Sequence, residues 1–124
     1  MQHSPGFLNL VNQARRRVRE LTVEQAREKL RLNPSTILLD VREESEFMDE
    51  HAVGSIHLCK GIIERDIEKM FPNTGAEILI YCGGGFRSVL ACESIQKMGY
   101  RNVYSIIGGY RAMKTVGWEM VSGK

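Results

Sequence analysis

The chain has no apolar run near the roughly 18 residues that a membrane-spanning helix needs, so no membrane role is expected. Near its beginning Asn9, Asn12 and Gln13 interrupt the apolar residues, and no signal-peptide core is expected there either. Cysteine is scarce. Cys59, Cys82 and Cys92 form an odd set without a C-x-x-C pair, which argues against both a disulfide framework and a zinc site. No metal or other cofactor is expected, and the compartment that suits reduced thiols is the cytoplasm. An excess of one charge is also lacking. The net charge of +2 is too small to call for nucleic acid. Seven basic residues stand against three acidic ones through Thr36, hence +4 there and −2 over the rest. A block such as Arg15-Arg16-Arg17 reads as a solvated helix face.

What is present belongs to one globular domain: 124 residues, 43% hydrophobic and 26% charged, enough to bury a core. Phe7, Leu10, Val11, Ala14, Val18 and Leu21 recur at three- and four-residue spacing, predicting one amphipathic helix. Thr22 with Gln25 three residues on is a capping box opening a second helix through Leu30. Short apolar runs at Thr36–Val41, Glu77–Tyr81 and Asn102–Ile107 have strand length, with a smaller strand at Gly54–Leu58. Between them lie helical patterns: the acidic stretch around Glu44–Glu50, the face Ile63, Ile67, Met70 and Phe71, the stretch Arg87–Met98 with Gly99 as its C-cap, and Tyr110–Val116. Apolar strands alternating with helices predict an α/β fold, a parallel sheet with helices on both faces. Ligands of such sheets bind beyond the carboxyl ends of the strands, where Asp40 and Cys82 lie.

The stretch from Ile78 to Ser88, ILIYCGGGFRS, needs a reason, because a strand has no use for consecutive glycines. With Cys82 at a strand end and Arg87 at a helix start, the residues between form a tight loop whose backbone N–H groups turn inward as an anion-binding nest. Gly83, Gly84 and Gly85 supply the dihedral freedom, and Phe86 completes the loop. A thiol facing such a nest is expected as the thiolate, a nucleophile whose anionic adduct the same donors hold. Arg87 offers a guanidinium to the oxygens of an anionic donor, and Ser88 either donates to a loop group or caps the helix. The glycines bring no side chain, so the pocket mouth is expected to be bare. A P-loop would need Lys where Arg87 stands, and a dinucleotide loop would need Gly at Ser88. A tyrosine-phosphatase loop has five residues between Cys and Arg; here Gly83 to Phe86 make four, a smaller ring better fitted to one sulfur than to phosphate.

Four segments in order, "LLDVREESEF", "EHAVGSIHL", "IYCGGGFRS" and "GGYRAMKTVGW", together resemble a rhodanese (sulfurtransferase) domain from about Leu21 to Val121. Met113 stands where that family often has Trp, and Cys59 where proline is common. The resemblance implies a five-stranded parallel sheet flanked by helices, with the N-terminal helix outside the family core, so that the chain divides into an amphipathic helical extension, 1–20, and a rhodanese-like domain, 21–124. It implies that Cys82 takes sulfane sulfur from thiosulfate or a persulfide donor and passes it to a thiol, cyanide or a sulfur-accepting protein. A sulfur-carrying or regulatory module with little turnover, and a phosphatase- or arsenate-reductase-like enzyme, are the alternatives. Asp40 and Arg42 are expected to support the site as an ion pair that orients the neighbouring loops. Cys92 is expected in the core, and His51 and His57 in structural roles.

Overall fold

The computed structural model describes residues 3–123. Three four-residue strands form the middle of a sheet: β2 (Ile37–Asp40), β5 (Ile78–Tyr81) and β6 (Val103–Ile106). Two-residue strands border them, β1 (Glu20–Leu21) beside β6 and β4 (Ile56–His57) beside β2. All neighbours are parallel, in the order β1-β6-β5-β2-β4. The central strands are apolar at successive positions because both faces are covered. Leu39, Ile78, Ile80 and Val103 pack against Ile63 and Ile67 of α4 (Ile63–Met70) and Ala91, Cys92 and Ile95 of α5 (Arg87–Lys97). The alternate residues Leu38, Leu79, Tyr81 and Ile106 pack against Val23 and Ala26 of α2 (Val23–Leu32) and Met113 of α6 (Gly109–Thr115).

The local signals act as expected at several ends. Thr22 and Gln25 exchange both hydrogen bonds of a capping box at the start of α2. Gly99, at φ +106°, ends α5 in a conformation that a side chain would disfavour. The acidic stretch forms α3 (Glu44–Asp49), which follows β2 directly.

The first helix is shorter than its apolar spacing predicts. α1 spans Pro5–Arg15, and Leu21 lies in β1 instead of on a helix face. The cause is the open edge of β6: Ser105 N–H donates to the Arg19 carbonyl and Ile107 N–H to that of Leu21. Ladder bonds at a sheet edge outweigh continuation of the helix. Val11 and Ala14 of α1 pack on Val89 and Leu90 of α5, with Phe7, Val18 and Phe86 around them. A second departure is an antiparallel pair absent from the apolar pattern, β3 (His51–Ala52) with β7 (Met120–Val121). Among the described residues no helix is long and apolar enough to cross a membrane.

Candidate active site

The strands β2, β5 and β6 end at the same edge, Asp40 lying opposite Tyr81 in register. The turns leaving that edge lead into α3, α5 and α6. The next residue after β5 is Cys82, 1% exposed, with its side chain on the α5 face of the sheet. The loop that follows returns to it: Gly85 N–H donates to Cys82 Sγ at 3.1 Å. Ser88 Oγ lies 3.5 Å from the same sulfur and 2.7 Å from Ser105 Oγ, and both hydroxyls are fully buried. Ser88 Oγ thus accepts from the Cys82 thiol and does not cap α5, which has no side-chain cap. Ser105 is a site residue that sequence reasoning missed. Its signal was a polar residue inside the apolar run of β6.

The turn into α6 holds the loop from the other side. Tyr110 N–H donates to the Cys82 carbonyl at 2.7 Å, and Arg111 N–H to that of Gly83 at 3.1 Å. The three glycines have different causes. Only Gly85 has positive φ, +91°, and a Cβ there would sit 2.8 Å from Gly108 N. Gly83 and Gly84 instead leave room for guanidinium groups: a Cβ on Gly83 would lie 3.0 Å from Arg87 Nη2, and one on Gly84 2.5 Å from Arg111 Nη1. Dihedral freedom therefore explains one of the three.

Arg87 reaches the site but not as a free cation. Its Nη1 and Nη2 donate to Glu46 Oε1 and Oε2 at 2.9 and 3.2 Å. The Arg87 hydrogen bonds hold the Glu46 carboxyl below the usual carboxylate range, and Glu46 raises Arg87 in return. Arg111, by contrast, makes no ion pair and no side-chain hydrogen bond among the described residues. A cavity of about 670 Å³ opens above Cys82, lined by His3, Ser4, Phe7, Glu46, Gly84, Phe86, Arg87 and Arg111. The expectation of a bare mouth is corrected here. Elements distant in sequence supply the walls, α1 with its preceding residues and α6, although the loop's own glycines supply none. Arg111 was marked only by its place in the helix after β6, a strand ending at the edge where Cys82 sits.

Asp40 and Arg42 form a buried pair outside that cavity. Arg42 Nε and Nη2 donate to the Asp40 carboxylate at 2.8–3.1 Å, and Nη2 also donates to the Glu50 carbonyl at 2.7 Å. Arg42 also lies over the Tyr110 ring, 4.4 Å from its centroid, so the pair joins the end of β2 to α3 and α6. His51 Nδ1 bonds the Phe47 carbonyl and His57 Nε2 that of Arg42, both away from the sulfur. Cys92 is wholly buried, and burial pushes its thiol up to about 12. Burial first, and the Glu43 carboxylate beside it, also push the Cys59 thiol up. Neither is an active thiolate at neutral pH. No group of His, Cys, Asp or Glu among the described residues could hold a metal ion.

The sequence and fold have clear relatives. A family model described as the Rhodanese-like domain matches residues 22–115. The Thiosulfate sulfurtransferase GlpE of Tolumonas auensis is 30% identical over 101 residues, covering 82% of this chain and 88% of its own. "Putative sulfur carrier protein YrkF" of Bacillus subtilis is 32% identical over 92 residues, 74% of this chain; the matched part is 49% of YrkF, about half its length. Among solved structures, a rhodanese with anions from E. coli superposes with a TM-score of 0.62 at 27% identity, covering 71% of this chain and 99% of its own. RPA3614 of Rhodopseudomonas palustris, described as of unknown function and a possible tyrosine phosphatase, covers 98% of both chains with a TM-score of 0.79 at 24% identity, a likeness of fold alone. With its five-stranded parallel sheet, its loop from Cys82 to Arg87 and a family match over most of its length, the chain belongs to the rhodanese-like domain family.

Proposed function

We propose that the protein is a sulfurtransferase that moves sulfane sulfur from thiosulfate or a persulfide donor to a thiophilic acceptor through a Cys82 persulfide. One observation carries this reading: Cys82 Sγ lies at the base of the cavity with the Gly85 N–H aimed at it from 3.1 Å. A fixed amide dipole stabilises negative charge on sulfur without a side-chain base, and the same donor serves the thiolate and its persulfide. Arg87 and Arg111 give an anionic donor its counter-charge, while Gly83, Gly84 and Phe86 shape the approach. Asp40 and Arg42 act as positioning residues, and Ser88, whose Oγ accepts from the Cys82 thiol, turns its hydroxyl to donate once the sulfur is a thiolate. The division into an extension, 1–20, and a domain, 21–124, and the cytoplasm as compartment belong to the same proposal.

The test is intact mass before and after exposure to thiosulfate, then to cyanide. A gain of one sulfur atom, removed by cyanide and missing in Cys82→Ser, is the expected result. A gain that persists in Cys82→Ser, or no gain in the wild type, overturns the reading. Aryl-phosphate hydrolysis as fast as sulfur transfer would favour the phosphatase alternative. A gain with only slow discharge to every acceptor would favour a carrier module.

A further inference from the structure

The cavity has two unlike sides, and neither comes from the active loop alone. On one side three rings stand together. His3 is 4.7 Å from Phe86 and 5.2 Å from Phe7 between ring centroids, and Phe7 is 6.3 Å from Phe86. Arg15 lies 5.0 Å from the centroid of Phe86, fixing that ring against α1. Two of these rings come from α1 and the residues before it, outside the matched stretch 22–115. On the other side is Arg111, a guanidinium without a carboxylate among the described residues. Arg87, nearer the thiol in sequence, is already paired with Glu46 and is open to an anion only in competition with it.

This asymmetry is poorly used by thiosulfate. That dianion has no apolar body, and a cavity of about 670 Å³ is of the size that encloses an organic molecule. We propose that His3, Phe7 and Phe86 form a shelf for the apolar body of a small organic persulfide or thiol, whose carboxylate Arg111 binds. The proposal rests on the sulfur-transfer reading of Cys82 and names the class of molecule that exchanges sulfur with it. In the donor direction the Cys82 thiolate attacks the terminal sulfur of R–S–SH. The Sγ–S bond forms, the R–S–S bond breaks, and its electron pair leaves on R–S⁻. The proton passes from the new persulfide to that thiolate, giving R–SH and Cys82–S–S⁻. In the acceptor direction the same step runs backwards. No oxidant or reductant is needed, because the sulfane sulfur keeps its oxidation state.

Two measurements test the shelf, one of them free of sulfur chemistry. The first is binding of 3-phenylpropanoate, compared with propanoate and with 2-phenylethanol. The wild type should bind 3-phenylpropanoate about tenfold more tightly than either, since each lacks one half of the recognition. Arg111→Gln should lose the advantage over 2-phenylethanol, and His3→Ala and Phe7→Ala that over propanoate. Thermal unfolding checks that each variant is folded, and His3→Ala serves if Phe7→Ala is not. The second measurement loads Cys82 with thiosulfate and follows its discharge by 2-mercapto-3-phenylpropanoate and by 3-mercaptopropanoate. The ratio of the two rates should fall about tenfold in His3→Ala. Binding without selectivity for the phenyl carboxylate overturns the shelf, even if Cys82 loads normally. Selective binding with no loading keeps the shelf and overturns sulfur transfer.

Discussion

Arg87 holds both carboxylate oxygens of Glu46, at 2.9 and 3.2 Å, tying the active loop to α3 across 41 positions of sequence. The arginine proposed to receive an anionic donor is therefore occupied at rest. Any anion drawing on Arg87 competes with a carboxylate already in place.

Glu46→Gln should release Arg87 and lower KM for thiosulfate, while Arg87→Ala should raise it, with kcat moving less in both. The pair is about one-third exposed, so its loss should cost no more than about 1 kcal/mol. The pH dependence follows from the lowered pKa of Glu46. Its contribution is present above the ordinary carboxylate range and is lost as pH falls through the lowered value. Denaturant titrations into acid should therefore show a smaller loss of stability in Glu46→Gln than in the wild type. If KM rises in Glu46→Gln as much as in Arg87→Ala, the pair shapes the loop, and the competition with donor is wrong.

Thiol chemistry should be confined to one residue. Cys82→Ser should abolish thiosulfate-to-cyanide transfer, and Cys59→Ser should retain most of it, because the Cys59 thiol is pushed up and lies beside Glu43. Cys92→Ala should keep the activity but lose stability, by roughly 1 kcal/mol for a small core cavity. A Cys82→Ser protein that still transfers sulfur to cyanide would remove this thiol from the mechanism.

The central strands were legible because a run such as ILIY has only one economical place, inside a sheet covered on both faces. β1 was not legible. Glu20 and Leu21 carry no strand pattern, and only the open edge of β6 recruits them. The site divides in the same way. Cys82, Gly85 and Ser88 lie within one seven-residue stretch, so the loop declares them. Glu46, Arg111, His3 and Phe7 come from three other places, and only the fold brings them to one cavity, as it brings Ser105 to Ser88. Three identical letters at 83–85 also concealed two causes, one of conformation and one of space.

The buried hydroxyl pair allows a test of satisfaction apart from contact. Ser88→Ala leaves the Ser105 hydroxyl buried without its 2.7 Å partner, a cost of about 1–3 kcal/mol. Adding Ser105→Ala should restore part of that stability, because no buried hydroxyl is then stranded. It should not restore the rate, since the Cys82 sulfur still lacks the Ser88 hydroxyl. Equal stability of the single and double variants, by denaturant unfolding, would show that Ser105 finds another partner.

Arg42→Met should destabilise more than any surface ion-pair change. It leaves the fully buried Asp40 carboxylate without its guanidinium, a loss of about 3–5 kcal/mol. Asp40→Asn in the same chain should recover part of it. Arg42→Lys should not, because an ammonium cannot reach Asp40 and the Glu50 carbonyl as a planar fork does. Full recovery by Lys would mean that charge alone matters there.

The glycines give the sharpest contrast. Gly54 has φ +83° with nothing within 4 Å of where a methyl group would stand, so Gly54→Ala should cost only backbone strain, about 1–2 kcal/mol. Gly85→Ala carries the same strain at φ +91° and adds a Cβ 2.8 Å from Gly108 N. Backbone cannot swing aside as a side chain does, so the turn into α6 must move, and the Gly85 N–H leaves Cys82 Sγ with it. Gly84→Ala is different again. Its φ is not positive, and its Cβ would meet only the far end of Arg111, a flexible side chain. Stability should therefore fall in the order Gly84→Ala, Gly54→Ala, Gly85→Ala, from least to most affected, by thermal unfolding. Activity should not follow that order: Gly54→Ala should keep full sulfur transfer, while Gly84→Ala should lose affinity for anionic donors through a displaced Arg111. If Gly84→Ala transfers sulfur like the wild type with unchanged KM, Arg111 has no part in donor binding.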